Sequence, residues 1–188
     1  MKKIIFLVMI SSSFFSVCFG GDYAVDKGSN IFSVTAGLLN ASGDLYEDGD
    51  DSFLALLIMP SFAHFVARNF SVGGDILLFN AKQGEEGLSL LGIGPKAMYF
   101  FGGDKAKSYP YLTSGFYYVR QGTDSGGDED TYSGTRLKIG GGMSVMTSSH
   151  LGLLVEASYN LDNLKPEKGE SKSGNMIIVS MGLAGFSF

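Results

Sequence analysis

The stretch that decides the fold is "GTRLKIGGGMSVMTSSHLGLLVEASYN", Gly134–Asn160. Its first half alternates with period two. Leu137, Ile139, Gly141, Met143 and Val145 share one face, and Arg136, Lys138, Gly140, Gly142 and Ser144 the other. After the turn "SSH", Leu151, Leu153, Val155, Ala157 and Tyr159 oppose Gly152, Leu154, Glu156, Ser158 and Asn160. Alternation of this kind marks strands, with successive side chains on opposite faces of a sheet. The runs are about ten to fourteen residues long, against about five or six for an ordinary globular strand. That length suits a tilted strand crossing a bilayer, apolar side out.

Working outward, the same pattern gives eight segments: Asn30–Leu39, Ser52–Phe62, Phe70–Asn80, Leu88–Phe101, Tyr109–Gln121, Gly134–Thr147, Leu151–Asn160 and Asn175–Phe188. In the third, Val72, Gly74, Ile76 and Leu78 oppose Ser71, Gly73, Asp75 and Leu77. The second is apolar on both faces. Pro95 lies inside the fourth, where a closed sheet needs every N–H, so a bulge or an unpaired site is expected there. In the eighth, Ile177, Val179, Met181 and Leu183 have one parity, and Phe186 and Phe188 the other. Either a bulge near Gly185 switches the face, or Gly182 and Ala184 face lipid.

The gaps differ in character. "NASGDLYEDGDD", "AKQGEEG", "GTDSGGDEDTYS" and "LDNLKPEKGESKSG" are acidic, and three are long; "AHFVARN", "GGDKAKSY" and "SSH" are shorter on average and carry few acids. Long–short alternation predicts an all-β fold, an eight-stranded antiparallel up-and-down transmembrane barrel. Odd gaps would be extracellular loops and even gaps periplasmic turns.

Composition agrees. Of 188 residues 27 are Gly, about twice the usual share. Charged residues are 18%, and there is no Trp. Lys2 and Lys3, the apolar run from Ile4 and the small residues Cys18 and Gly20 predict a signal peptide over residues 1–20, preceding a barrel domain over 21–188. Cys18 is the only cysteine and leaves with it, which excludes a disulfide framework. Loss of two lysines leaves 12 basic and 19 acidic residues, a net charge of −7. With no dense basic patch, nucleic acid is not an expected partner. The expected location is a bacterial outer membrane.

With these features in place, the mature chain resembles the small outer-membrane β-barrels, the OmpX-like and OmpA-barrel superfamily. "MPSFAHFVARNFSVGGDI" (Met59–Ile76) is similar to that superfamily's first hairpin. "GIGPKAMYFF" (Gly92–Phe101) with "YPYLTSGFYY" (Tyr109–Tyr118) is similar to its middle hairpin. Phe188, with Phe186, resembles the signal by which the barrel-assembly machinery recognises its clients. The chain departs from the superfamily in having no Trp for its aromatic girdles, a role left to Tyr and Phe.

Three constellations could carry chemistry. By parity Asp75 and Glu156 face the lumen with Lys96, Arg120, Arg136 and Lys138. Eight strands leave an interior just wide enough for side chains, so these charges are expected to pair and plug it; a narrow channel is the alternative. The acids Asp44, Glu47, Asp48, Asp50 and Asp51, and Asp124, Asp128, Glu129 and Asp130, read as solvated loop tips. Weak cation contacts through Asp44, Asp48, Asp50, Asp128 and Asp130 are the alternative, although the spacing is not that of an EF-hand. His64 and His150 are the only histidines, both placed in periplasmic turns; "SSH" followed by Glu156 mimics a Ser/His/Glu set, but Glu156 lies six residues up the strand, about 20 Å away. No catalytic site, metal or cofactor is therefore expected. The role read from the sequence is structural or interactive: envelope integrity, or adhesion through acidic loops. The expected partners are outer-membrane lipids and lipopolysaccharide, the assembly machinery and surface ligands. A lipid-modifying enzyme and a soluble lipocalin-like binder stand as the other readings.

Overall fold

The structure, a computed structural model, describes residues 24–42, 55–83, 86–103, 106–125, 128–166 and 169–188. Eight strands follow one another: β1 (Asn30–Ser42), β2 (Ala55–Ala67), β3 (Phe70–Gln83), β4 (Glu86–Phe100), β5 (Ser108–Ser125), β6 (Asp128–Met146), β7 (Leu151–Pro166) and β8 (Lys172–Ser187). Each pairs antiparallel with the next, and β8 pairs with β1 to close a barrel. Closure leaves no edge strand with unpaired backbone groups.

The outward parity carries the apolar residues. Val72, Ile76 and Leu78 on β3, Leu137, Ile139, Met143 and Val145 on β6, and Leu151, Leu153, Val155, Tyr159 and Leu161 on β7 are all exposed. On β7 this band spans ten residue steps, about 34 Å of strand. At a tilt of about 40° it stands about 25 Å tall, the height of a barrel's lipid-facing belt. A soluble lipocalin-like binder needs the reverse surface, polar outside.

The strands overrun the sequence-based boundaries at the end away from the termini. β5 continues to Ser125 and β6 begins at Asp128, so only residues 126–127 separate them. Asp124 is aligned with Glu129 and Thr123 with Asp130, as strand partners. The expected long loop Gly122–Ser133 is therefore mostly hairpin. Backbone pairing continues beyond the end of the apolar period, which is why polarity alone misread it. Connection lengths accordingly do not alternate. Of the acids expected to contact cations, Asp128 and Asp130 are strand residues, while Asp44, Asp48 and Asp50 lie outside the described residues, as does the expected signal peptide.

At the terminal end β2 runs to Ala67, so "AHFVA" is strand and not turn; His64 stands within it, its Nδ1 2.9 Å from Asn30 Oδ1. Arg68 and Asn69 make the turn, with Asn69 at φ 66°, a left-handed conformation that Asn tolerates. Asn69 N donates to Val25 O (2.8 Å), and Gly28 N to Phe65 O (2.9 Å). The segment before β1 is thereby tied beneath the barrel, with Val25 fully buried.

Proline opens the ladder without shifting it. The β4–β5 register passes from Ile93↔Tyr118 to Lys96↔Gly115 with no added residue, so Pro95 makes an unpaired site rather than a bulge. Neither solution expected for β8 holds. Its register with β1 runs unbroken from Asn30↔Ser187 to Ser42↔Asn175. Ile177, Val179, Met181 and Leu183 face outward, and Ala184 and Phe186 point inward, where Phe186 packs with Ile31, Phe65, Phe100 and Tyr111.

Candidate functional site: a buried charge network

The interior is layered. At the terminal end Val25, Ile31, Phe65, Met98, Phe100, Leu154 and Phe186 form one apolar cluster. Toward the other end Leu57, Met59, Leu77, Phe79, Val119, Leu164 and Ile178 form a second. The charges lie among these layers.

One cross-strand row explains how they fit. Gly73, Lys96, Gly115, Lys138 and Asn160 are register partners on β3 to β7. Glycine alternates with lysine from β3 to β6, so Lys96 and Lys138 are not direct cross-strand neighbours. Lys96 Nζ lies 2.8 Å from Asp75 Oδ1 and also donates to Ser61 Oγ. Lys138 Nζ is 2.6 Å from Glu156 Oε1 and 3.9 Å from Asp75 Oδ2. Two ammonium groups thus meet two carboxylates, and the cluster is neutral. All four side chains are 10% exposed or less. Stranding any one of them would cost several kcal/mol of uncompensated desolvation.

Two tyrosines complete the carboxylate shells. Tyr117 Oη donates to Asp75 Oδ2 (2.8 Å), and Tyr111 Oη to Glu156 Oε2 (3.1 Å). Each phenol lies over a glycine. A Cβ on Gly115 would sit 2.3 Å from Tyr117 Oη. One on Gly142 would sit 2.9 Å from the Tyr111 ring and 2.1 Å from Val155 O. Tyr111, Gly142 and Glu156 are themselves register partners.

A second, separate pair lies nearer the hairpin end. Arg136 Nε and Nη2 donate to Asp162 Oδ1 and Oδ2 at 2.6 and 2.8 Å. The residues are direct partners on β6 and β7, and both side chains are essentially inaccessible. Sequence reading missed Asp162 because it ended the seventh strand at Asn160. Continuing the parity by one step would have found it.

The structure brings Asp75, Lys96, Lys138 and Glu156 together and sets Arg136 with Asp162. Arg120 is a correction: it faces outward and is exposed. On β5 the inward set is Tyr109, Tyr111, Thr113, Tyr117 and Val119, while Leu112, Phe116 and Tyr118 face out. Both faces are apolar and aromatic, so the period could not tell in from out. Glu156 is committed to Lys138 and Tyr111 rather than to a histidine. His150 stacks on Phe188 at 4.7 Å and 9°, and Ser149 Oγ lies 2.9 Å from its Nδ1, on an exposed turn.

No family model matches the chain, and no curated protein matches it. Solved structures do. Neisserial surface protein A (NspA) aligns at a TM-score of 0.68 and 20% identity, over 85% of this chain and 99% of that one. OprG, an outer-membrane protein of Pseudomonas aeruginosa, aligns at 0.61 and 11% identity, over 89% and 99%. Ail, the attachment invasion locus protein of Yersinia pestis, aligns at 0.53 and 13% identity, over 84% and 99%. The chain has the fold of the small eight-stranded outer-membrane β-barrels.

Proposed function

We propose that this is an exported protein, cleaved after Gly20, that resides in a bacterial outer membrane with its termini toward the periplasm. It acts there as a structural and surface-interaction barrel, not as an enzyme. The observation that carries this reading is the neutral Asp75–Lys96–Lys138–Glu156 cluster among apolar layers. Such an interior is a plug: it leaves ions no continuous wide aqueous path. Interaction then falls to the end away from the termini, where β5 and β6 carry Asp124, Asp128, Glu129 and Asp130, and the outward band serves as the lipid contact. The likeness to Ail, named for attachment, supports the adhesive form of this role.

Two measurements test it. A folded barrel should resist SDS and migrate differently before and after boiling, and it should fractionate with membranes. Reconstituted in a planar bilayer, it should give no steady large conductance. Identical migration with soluble fractionation would remove the membrane assignment. Steady large conductance would replace the plug with a pore.

A further inference from the structure

We propose that Arg120, Ser133 and Lys165 form an outward-facing site for the phosphate group of an anionic lipid in the leaflet at the hairpin end. The proposal rests on the membrane reading above. Arg120 on β5, Ser133 on β6 and Lys165 on β7 are successive register partners. Two inter-strand steps separate the cations' backbones by about 10 Å, with a hydroxyl between them. That span suits two long side chains converging on one phosphate group. Both cations are exposed. Among the described residues neither has an ion-pair or hydrogen-bond partner.

Their depth is the second observation. Beside and below them the outward surface turns apolar: Leu91, the β4 partner of Arg120, is 54% exposed, Tyr118 one row down is 57% exposed, and Leu137 and Leu161 lie two rows down. Thr135 and Asn163 lie one row down from Ser133 and Lys165, at the polar margin of that band. A lipid whose phosphate rests on the cations would lay its chains along Tyr118, Leu137 and Leu161. Among strand residues whose side chains are described, Arg120 and Lys165 are the cations on the outward parity. Placing them in one cross-strand row, two strands apart, at the margin of the apolar band is therefore a specific arrangement. Asp124 and Glu129, on the same parity, stand four residues higher, about 14 Å along the strand. That backbone separation exceeds the Debye length of about 8 Å at physiological ionic strength.

The test uses the mature barrel in mild detergent, with retained lipid counted by native mass spectrometry. The probes are a bisphosphorylated lipid A, the same glycolipid without its phosphates, and inorganic phosphate. A cation near an anionic surface contributes about a five-fold factor. The R120Q/K165Q double variant should therefore retain the phosphorylated lipid about 25-fold less well, and R120K/K165R should restore it. The dephosphorylated glycolipid should be held weakly, and millimolar inorganic phosphate should not displace the lipid. Each of three results would overturn the proposal: a heat-modifiable double variant that binds within two-fold of wild type, equal retention of the dephosphorylated glycolipid by wild type, or displacement by inorganic phosphate. The last two need no variant, so a misfolded double variant leaves the proposal open to refutation. Failure of the membrane reading itself shows separately, as a wild-type chain without heat-modifiability.

Discussion

Removing one member of the Arg136–Asp162 pair should destabilise the barrel far more than removing both. The pair is bidentate, at 2.6 and 2.8 Å, and its side chains are 1% and 0% exposed. In R136M the Asp162 carboxylate keeps its burial and loses its forked partner. The cost of breaking such a pair is about 3–5 kcal/mol. In D162N the stranded group is a guanidinium, which keeps its charge under all working conditions, so that variant should fall at the top of the range. At roughly 2–4 °C per kcal/mol for a chain of this size, either single variant should lose about 6–20 °C. R136M/D162L, which replaces both charges by apolar groups, should lie within about 1 kcal/mol of wild type. The chain has no Trp, so the readout is the ratio of folded to unfolded bands on unboiled gels across a urea series, repeated at high salt. Salt should change the midpoints little, because the pair is buried. Singles within about 1 kcal/mol of wild type would refute the assigned burial and pairing. A double variant as unstable as the singles would show that shape, not charge, is what matters there.

The two glycine–tyrosine contacts should behave differently. G115A should cost about 1–3 kcal/mol by lifting the Tyr117 phenol off Asp75, and adding Y117L should recover part of that loss on the same urea gels. G142A should not be recovered by Y111L, because its Cβ also meets the Val155 carbonyl; equal recovery would contradict this geometry. V155R, in the middle of the outward band on β7, should cost about 2–4 kcal/mol in bilayers, whereas L161R at its margin should cost about 0–1. Refolding into lipid vesicles measures both, and equal costs would argue against a bilayer around this band. Phe186 and Phe188 should separate stability from assembly. F186A should lose about 3–5 kcal/mol in the purified barrel, since its ring is 1% exposed. Deleting Phe188 should cost less, about 1–3 kcal/mol, because it is only partly buried against the apolar cluster and stacked on His150, yet should sharply reduce surface levels in cells. Unchanged surface levels would remove it as an assembly signal.

The sequence by itself determined the barrel. Period-two alternation on β3, β6 and β7 states which side chains face out of the barrel, because a strand has only two faces and one of them carries the apolar set. The lumenal positions of Asp75, Arg136, Lys138 and Glu156 follow from that parity alone. The pattern was silent where both faces are apolar, as on β5, and Arg120 was misplaced there. It also stopped early wherever strands outrun the apolar band, which hid Asp162.

Partnership was decided only by the tertiary structure. Whether Lys138 meets Glu156 and Asp75, or Arg136 meets Asp162, depends on the cross-strand register, which couples residues 18 to 63 positions apart. Register is set by the whole closed sheet, including the unbroken β8–β1 pairing that turns Phe186 inward. No local period encodes it. The terminal phenylalanines show the same division: their parity is written in the chain, but only barrel closure supplies the buried cluster and the His150 ring that receive them.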